Sequence, residues 1–147
     1  MRKQTKENRN MKYFTILELT RSATAQKKGI DNTPTPAAVK NLTALTENLL
    51  DPLREKWGAP LIVTSGYRCP TLNTAVGGTK TSHHKQGMAA DLVTRENTPE
   101  ANKRLFETLL KSGLKWTQAI WERNAAGATW VHVAYDPSNL NNRIVYT

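Results

Sequence analysis

The sequence is poor in cysteine and histidine, and it has no long apolar run. Its single cysteine, Cys69, excludes an internal disulfide among the 147 residues. No apolar stretch approaches the roughly 20 residues of a membrane-spanning helix, so we expect no insertion into a membrane. No apolar segment follows the basic start "MRKQTKENRN", and this pattern predicts no secretory signal.

The remaining composition is that of an ordinary globular protein. Hydrophobic residues make up 38% of the chain and charged residues 22%, which is typical of soluble domains. A chain of this length favours one domain. We predict a disordered basic leader over residues 1–10 and a single domain over residues 11–147.

The charge balance is strongly basic, with a formal net charge of +9. Such a charge could favour nucleic acid, an anionic membrane surface or an anionic cell wall, or it could serve solubility alone. The sequence has neither a nucleic-acid recognition motif nor a concentrated basic stripe. We therefore expect no nucleic-acid partner.

Four segments carry helix signals, one of which is a short helix between two turns in "GYRCPTLNTAVGG". Thr15 and Glu18 fit a capping box for a short first helix. Apolar residues at three- and four-residue steps predict a long amphipathic helix over residues 36–58, kinked by Pro52. A further helix is predicted over residues 98–113, ended by a glycine.

Five segments have strand character. They are "LIVTS", "MAADLVT", "TQAIWE", "WVHVAY" and "RIVYT", which are rich in β-branched and aromatic residues. A hairpin is predicted between Glu122 and Trp130. Because helices come first and strands mostly later, the sequence predicts an α+β fold with a mostly antiparallel sheet packed against helices.

Two of the three histidines lie in one stretch, "TSHHKQGMAADLV". On a helix, His84 and Asp91 would be about 10 Å apart along the axis, too far to share one ion. If both bind one metal, the chain must turn between them, and Gly87 permits such a turn. The pattern leaves open whether His83 or His84 points inward.

A third ligand is available in "WVHV". His132 alternates with two valines, so its side chain points to the other face of the strand. Two imidazoles and one carboxylate form a common catalytic zinc shell, which keeps one coordination position open. The alternative is a structural histidine with a hydrogen-bond partner.

A known family shares these motifs. "SHHKQGMAAD" fits S-x-H-x-x-G-x-A-x-D, and "WVHV" follows downstream. The chain thereby resembles the zinc D-alanyl-D-alanine carboxypeptidase family, which includes phage L-alanyl-D-glutamate endopeptidases and shares the hedgehog/DD-peptidase fold. "SGYR" with a following asparagine is a second match. The likeness is to the short, often phage-borne branch and covers the chain from about Tyr13 to about Tyr135.

The resemblance implies one zinc ion held by His84, Asp91 and His132, with the preceding histidine as a variable position. It implies that Arg68 holds substrate and polarises the scissile carbonyl, which suits a guanidinium group that donates hydrogen bonds to oxygen. A surface arginine that caps the turn is the alternative. Ser82 is expected either to bind substrate or to shape the loop.

The general base is less directly implied. Several members of the family place an acid three positions before the last histidine, where this chain has Thr129. If Ile120 lies opposite His132 in the hairpin, Glu122 is a diagonal neighbour of that histidine on the same face. A carboxylate there could take a proton from the attacking water. Glu122 could instead be a solvated hairpin residue, with Asp136 as the reserve candidate.

Cys69 departs from the family pattern, where serine is common. It could be a soft metal ligand, a nucleophile beside a histidine, or a small residue packed near Pro70. Trp116, Trp121 and Trp130 could line a substrate groove or belong to the core.

The resemblance implies a zinc peptidase that hydrolyses an amide bond in peptidoglycan stem peptides. The reaction would be that of a D,D-carboxypeptidase or of an L-Ala-D-Glu-type endopeptidase. We expect a monomer made in the cytoplasm that acts on the cell wall after phage-type release. The alternative is a zinc-stabilised cell-wall or protein binding module without hydrolysis.

Overall fold

Helices occupy the first part of the chain, and strands lie mostly in the second. The computed structural model describes residues 11–147, so the predicted leader over residues 1–10 lies outside it. The helical elements are α1 (Ile16–Thr20), α2 (Ala23–Lys28), α3 (Pro36–Leu45), a π-helical turn (Thr46–Leu50), α4 (Asp51–Trp57), α5 (Pro70–Ala75), a 3-10 turn (His83–Gln86) and α6 (Pro99–Leu110). The strands are β1 (Leu61–Ser65), β2 (Ala89–Thr94), β3 (Gln118–Arg123), β4 (Thr129–Ala134) and β5 (Arg143–Tyr146).

The strands form one sheet in the order β1-β2-β4-β3-β5. Neighbouring strands are antiparallel except for β3 and β5, which are parallel. The structure thus confirms the predicted α+β fold, the five strands and the hairpin.

Helix boundaries follow the capping chemistry of the sequence. The capping box of Thr15 and Glu18 is present at the start of α1. Thr35 caps α3, whose first residue is Pro36. Helical structure then continues to Trp57, with a π-helical turn directly before the helix that contains Pro52. We attribute this turn to the proline, which lacks an N–H group and crowds the preceding turn.

Two helical details differ from the sequence analysis. Helix α6 ends at Leu110, three residues before Gly113, so the glycine does not end it directly. Helix α2 was not predicted, although Ser22 caps its start and Gly29 follows it with a left-handed φ of 66°. Serine is a common residue at the start of a helix, and glycine is a common residue at its end.

The two faces of the sheet differ in what they contact. Helix α6 contacts β2, β3 and β4, and the side chains on that face are buried apolar residues such as Leu92, Val131 and Val133. Because side chains alternate along a strand, His132 points to the opposite face. Within residues 11–147, no helix has the length and apolar character needed to cross a membrane.

Asn102 links the helix face to both central strands. It is fully buried, and its Oδ1 accepts hydrogen bonds from Thr94 N at 2.9 Å and Thr94 Oγ1 at 2.8 Å. Its Nδ2 donates to Asn97 Oδ1 and to the carbonyl and hydroxyl oxygens of Thr129. One α6 side chain therefore satisfies polar groups at the ends of β2 and β4.

We expect Asn102→Ala to lower the free energy of unfolding by about 2–4 kcal/mol, because buried partners on both strands lose their hydrogen bonds. Urea denaturation of zinc-free protein measures this. The control is Asn48→Ala, an exposed residue with one local bond to Ala44 O, which should change stability by less than about 1 kcal/mol. Equal losses in the two variants would contradict the role of Asn102.

Candidate metal centre

Three metal-ligating side chains meet on the open face of the sheet. Asp91 on β2 lies directly opposite His132 on β4, and His84 reaches them from the 3-10 turn. One donor atom from each residue lies within 4.8 Å of the others. All three residues are buried, with 3% to 8% of their surface exposed.

The predicted turn between His84 and Asp91 is present. Gly87 follows the 3-10 turn with a left-handed φ of 74°, a conformation that favours glycine. A Cβ atom at this position would also lie 2.6 Å from the carbonyl oxygen of Ala38. The chain therefore turns at Gly87 and enters β2, as expected.

Hydrogen bonding orients His84 toward the cluster. Its Nδ1 lies 2.7 Å from the carbonyl oxygen of Gly66, which can only accept, so Nδ1 carries the proton. The lone pair of Nε2 is then free, 3.4 Å from Asp91 Oδ1. The hydrogen bond from Nδ1 to a backbone carbonyl is typical of a histidine that binds a metal through its other ring nitrogen.

Two of the distances between donor atoms are close to those of a tetrahedral zinc site. His132 Nδ1 lies 2.9 Å from Asp91 Oδ1, and the distance from His84 Nε2 to the same oxygen is 3.4 Å. Ligand atoms about 2.0 Å from a tetrahedral zinc lie about 3.3 Å apart. Two imidazoles and a carboxylate also match the ligand types that zinc prefers.

The carboxylate of the cluster stays ionised. Burial alone would raise the pKa of Asp91, but the polar contacts with the rings of His132 and His84 outweigh it and hold the pKa well below its ordinary value. A charged, acceptor-only carboxylate between two imidazoles suits a cation. His83 lies at the edge of the cavity, outside the cluster, and burial lowers its pKa.

Arg68 stands beside the cluster. Its Nη2 lies 3.8 Å from Asp91 Oδ2, and 17% of its side chain is exposed. It lines the same cavity as the three potential ligands. The guanidinium group is therefore largely buried and lies beside the cluster.

The hairpin has the predicted register. Ile120 pairs with His132, and Glu122 pairs with Trp130. Glu122 Oε2 lies 3.9 Å from His132 Nδ1 and accepts a hydrogen bond from Trp130 Nε1 at 3.3 Å. The carboxylate therefore faces the cluster.

The position where the resemblance places an acid and the reserve candidate are both engaged elsewhere. Thr129 lies on the helix face, where Asn102 binds it. The carboxylate of Asp136 accepts hydrogen bonds from the backbone and hydroxyl group of Ser138. Of the candidate acids, only Glu122 lines the cavity.

A cavity of about 430 Å³ opens over the cluster. Ser82 lies on its rim, and its Oγ accepts a hydrogen bond from His84 N at 3.2 Å. This contact caps the 3-10 turn, so Ser82 shapes the loop that carries His84. The cavity is lined by Arg68, Gly77, Gly78, Thr79, Thr81, Ser82, His83, His84, Asp91, Gln118, Ile120, Glu122, Trp130 and His132.

Cys69 has a local role. It is the N-cap of α5, and its Sγ accepts a hydrogen bond from Leu72 N at 3.4 Å. A serine hydroxyl at an N-cap makes the same kind of contact. The sulfur is not among the clustered donors of residues 11–147. Of the tryptophans, Trp116 and Trp121 belong to the core, and Trp130 lines the cavity.

Three groups near the site have no role predicted from the sequence. They are the carbonyl of Gly66, the hydroxyl of Ser65 and the amide of Asn73. Ser65 and Asn73 both contact Arg68. The signal was present in "SGYR" and the asparagine that follows it, but a main-chain carbonyl has no signature in a sequence.

The comparison with known families agrees with this geometry. The Peptidase M15 family model matches residues 12–134. The chain therefore belongs to the peptidase M15 family, whose members are zinc-dependent metallopeptidases. Among curated proteins, none matches the sequence significantly.

Proposed function

We propose that this protein is a zinc-dependent peptidase that hydrolyses an amide bond in peptidoglycan stem peptides. One observation carries the proposal: a His-Asp-His cluster, an acid and an arginine surround a single open cavity. Each of these groups has a place in amide hydrolysis.

His84, Asp91 and His132 would hold the ion. A bound zinc ion supplies a Lewis acid, which polarises the amide carbonyl and makes water a stronger nucleophile. The protein contributes three fixed donors and the proton on His84 Nδ1, which keeps the ring in one orientation.

Glu122 would move the proton. Its Oε2 accepts the proton of the attacking water, and it returns that proton to the amine nitrogen as the C–N bond breaks. The hydrogen bond from Trp130 Nε1 fixes the carboxylate. Its side chain is 30% exposed, so water can reach it.

Arg68 would bind the scissile carbonyl. A guanidinium group donates hydrogen bonds to the oxygen and stabilises the negative charge that develops on it. The same group could hold a terminal carboxylate, as a D,D-carboxypeptidase requires, or an internal carbonyl, as an endopeptidase requires. Ser82, on the rim, could add a hydrogen bond to substrate.

The basic charge of the chain suits this substrate. A net charge of +9 attracts the protein to anionic wall polymers. We further propose that the protein is a monomer and that it acts on the cell wall after phage-type release.

The lack of an acid at Thr129 favours one alternative, a zinc-stabilised binding module without hydrolysis. One experiment separates the two. The zinc-loaded protein should release new amino groups from purified peptidoglycan, and mass spectrometry of the released muropeptides should identify the bond cut. Chelation should abolish release, and added zinc should restore it. Retention on peptidoglycan with no new amino groups would instead indicate the binding module.

A further inference from the structure

All three nitrogens of the Arg68 guanidinium group face a protein oxygen. Nε donates to Ser65 Oγ at 3.1 Å, and Nη1 donates to Asn73 Oδ1 at 3.2 Å. Nη2 lies 3.8 Å from Asp91 Oδ2, beyond hydrogen-bond distance. We propose that Ser65 and Asn73 are positioning residues, which hold Arg68 in the orientation that meets the substrate oxygen. This inference rests on the proposed function of Arg68.

A β-bulge brings Ser65 to the site. Val63 pairs with Leu92, but the next paired residues are Ser65 and Asp91, so Thr64 is an extra residue in β1. Residues paired across a ladder share a face of the sheet. The bulge therefore places the Ser65 hydroxyl on the same face as Asp91, whereas in an unbroken register Ser65 would face the other way.

The amide of Asn73 is fixed from both ends. The residue is buried, with 3% exposed, and its Nδ2 donates to the carbonyl oxygen of Thr79 at 2.8 Å. That bond identifies the nitrogen end of the amide, so Oδ1 is the end that faces Arg68. Asn73 thus connects the arginine to the segment that forms the rim of the cavity.

Gly78 leaves room for this contact. A Cβ atom there would overlap Asn73 Oδ1 and lie 3.0 Å from Arg68 Nη1. The backbone N–H of Gly78 also donates to the carbonyl oxygen of Asn73 at 2.8 Å. The glycine therefore closes the rim over the Asn73–Arg68 pair without displacing it.

The chemistry of the two partners matters as much as their positions. A hydroxyl group and an amide are neutral, so they orient the guanidinium group without cancelling its charge. They occupy only two of its five donors, and the remaining N–H groups of Nη1 and Nη2 can reach a substrate oxygen. A preorganised donor loses less entropy when the substrate binds.

The first test is a double-mutant cycle between Asn73→Ala and Arg68→Ala. With solubilised peptidoglycan fragments, we expect Asn73→Ala alone to lower kcat/KM by about 10- to 100-fold. In the Arg68→Ala background it should cause less than about a twofold further loss. If Asn73→Ala lowered kcat/KM by the same factor with and without Arg68, the two effects would be independent and the proposal would be contradicted. The control is Thr74→Ala, which removes a local bond on the same helix and should leave kcat/KM unchanged.

The second test needs no activity. In ¹⁵N-labelled protein, the Arg68 Nε–H signal, assigned by its loss in Arg68→Lys, should exchange slowly with solvent. Asn73→Ala and Ser65→Ala should each speed exchange about tenfold or more, while Thr74→Ala should not. Unchanged exchange in both variants would overturn the positioning role. If wild-type protein hydrolyses nothing, the proposed function fails, but the exchange result still decides whether Ser65 and Asn73 hold Arg68.

Discussion

Asp91→Asn is expected to abolish amide hydrolysis, with a loss of at least about 10⁴-fold, because the protein would no longer retain its ion. Asp91 supplies the only formal negative charge in the cluster, and it contacts both histidines. The asparagine side chain has the same size but cannot balance the charge of a divalent cation. Zinc content after dialysis against a chelator should fall from one ion per chain to less than about 0.1.

The matched control is Asp31→Asn. Asp31 is exposed and accepts hydrogen bonds from the backbone and hydroxyl group of Thr33. This variant should keep both its zinc and its activity. Chelated wild-type protein is the second reference, because it shows how much structure depends on the ion alone. A fully active Asp91→Asn variant with normal zinc content would overturn the assignment of the metal centre.

The metal cluster was predictable because its signals are local. His84, Gly87 and Asp91 lie within one short motif, and the glycine marks the turn that the geometry demands. His132 was accessible through strand alternation, since Val131 and Val133 fix the opposite face. Sequence patterns of this kind determine which way a side chain points once the element is known.

The support for Arg68 was not predictable in the same way. Ser65 reaches the site only because β1 shifts register at Thr64, and a bulge depends on how two distant strands pair. The Gly66 carbonyl that orients His84 is a backbone group, and a backbone group leaves no side-chain signal in the sequence. Helix α2 was not predictable for a different reason: its six residues are too few to show a clear helical period of apolar residues.

Strand alternation also explains why position 129 holds no acid. On β4, Thr129 shares a face with Val131 and Val133, where Asn102 binds it. His132 and Trp130 point to the cavity instead. An acid at 129 on this strand would face the core, where an unpaired charge is costly. We therefore propose that the proton-transferring carboxylate comes from the neighbouring strand β3, where Glu122 lines the cavity.

Glu122→Gln is expected to lower kcat by about 10³-fold while zinc content stays at one ion per chain. Glutamine keeps the size of the side chain and an oxygen that can accept from Trp130 Nε1, but it cannot take a proton from water. Amino-group release from purified peptidoglycan, measured beside metal analysis, separates loss of the base from loss of the ion.

Two further substitutions make the result specific to Glu122. Glu107→Gln, on the exposed side of α6, should retain full activity, and Asp136→Asn tests the reserve acid. If Glu122→Gln stays within about threefold of wild type while Asp136→Asn loses about 10³-fold, Asp136 is the base. The carboxylate of Asp136 is already held by Ser138, whereas Glu122 lies 3.9 Å from His132 Nδ1. For this reason we expect activity to be lost in Glu122→Gln and kept in Asp136→Asn.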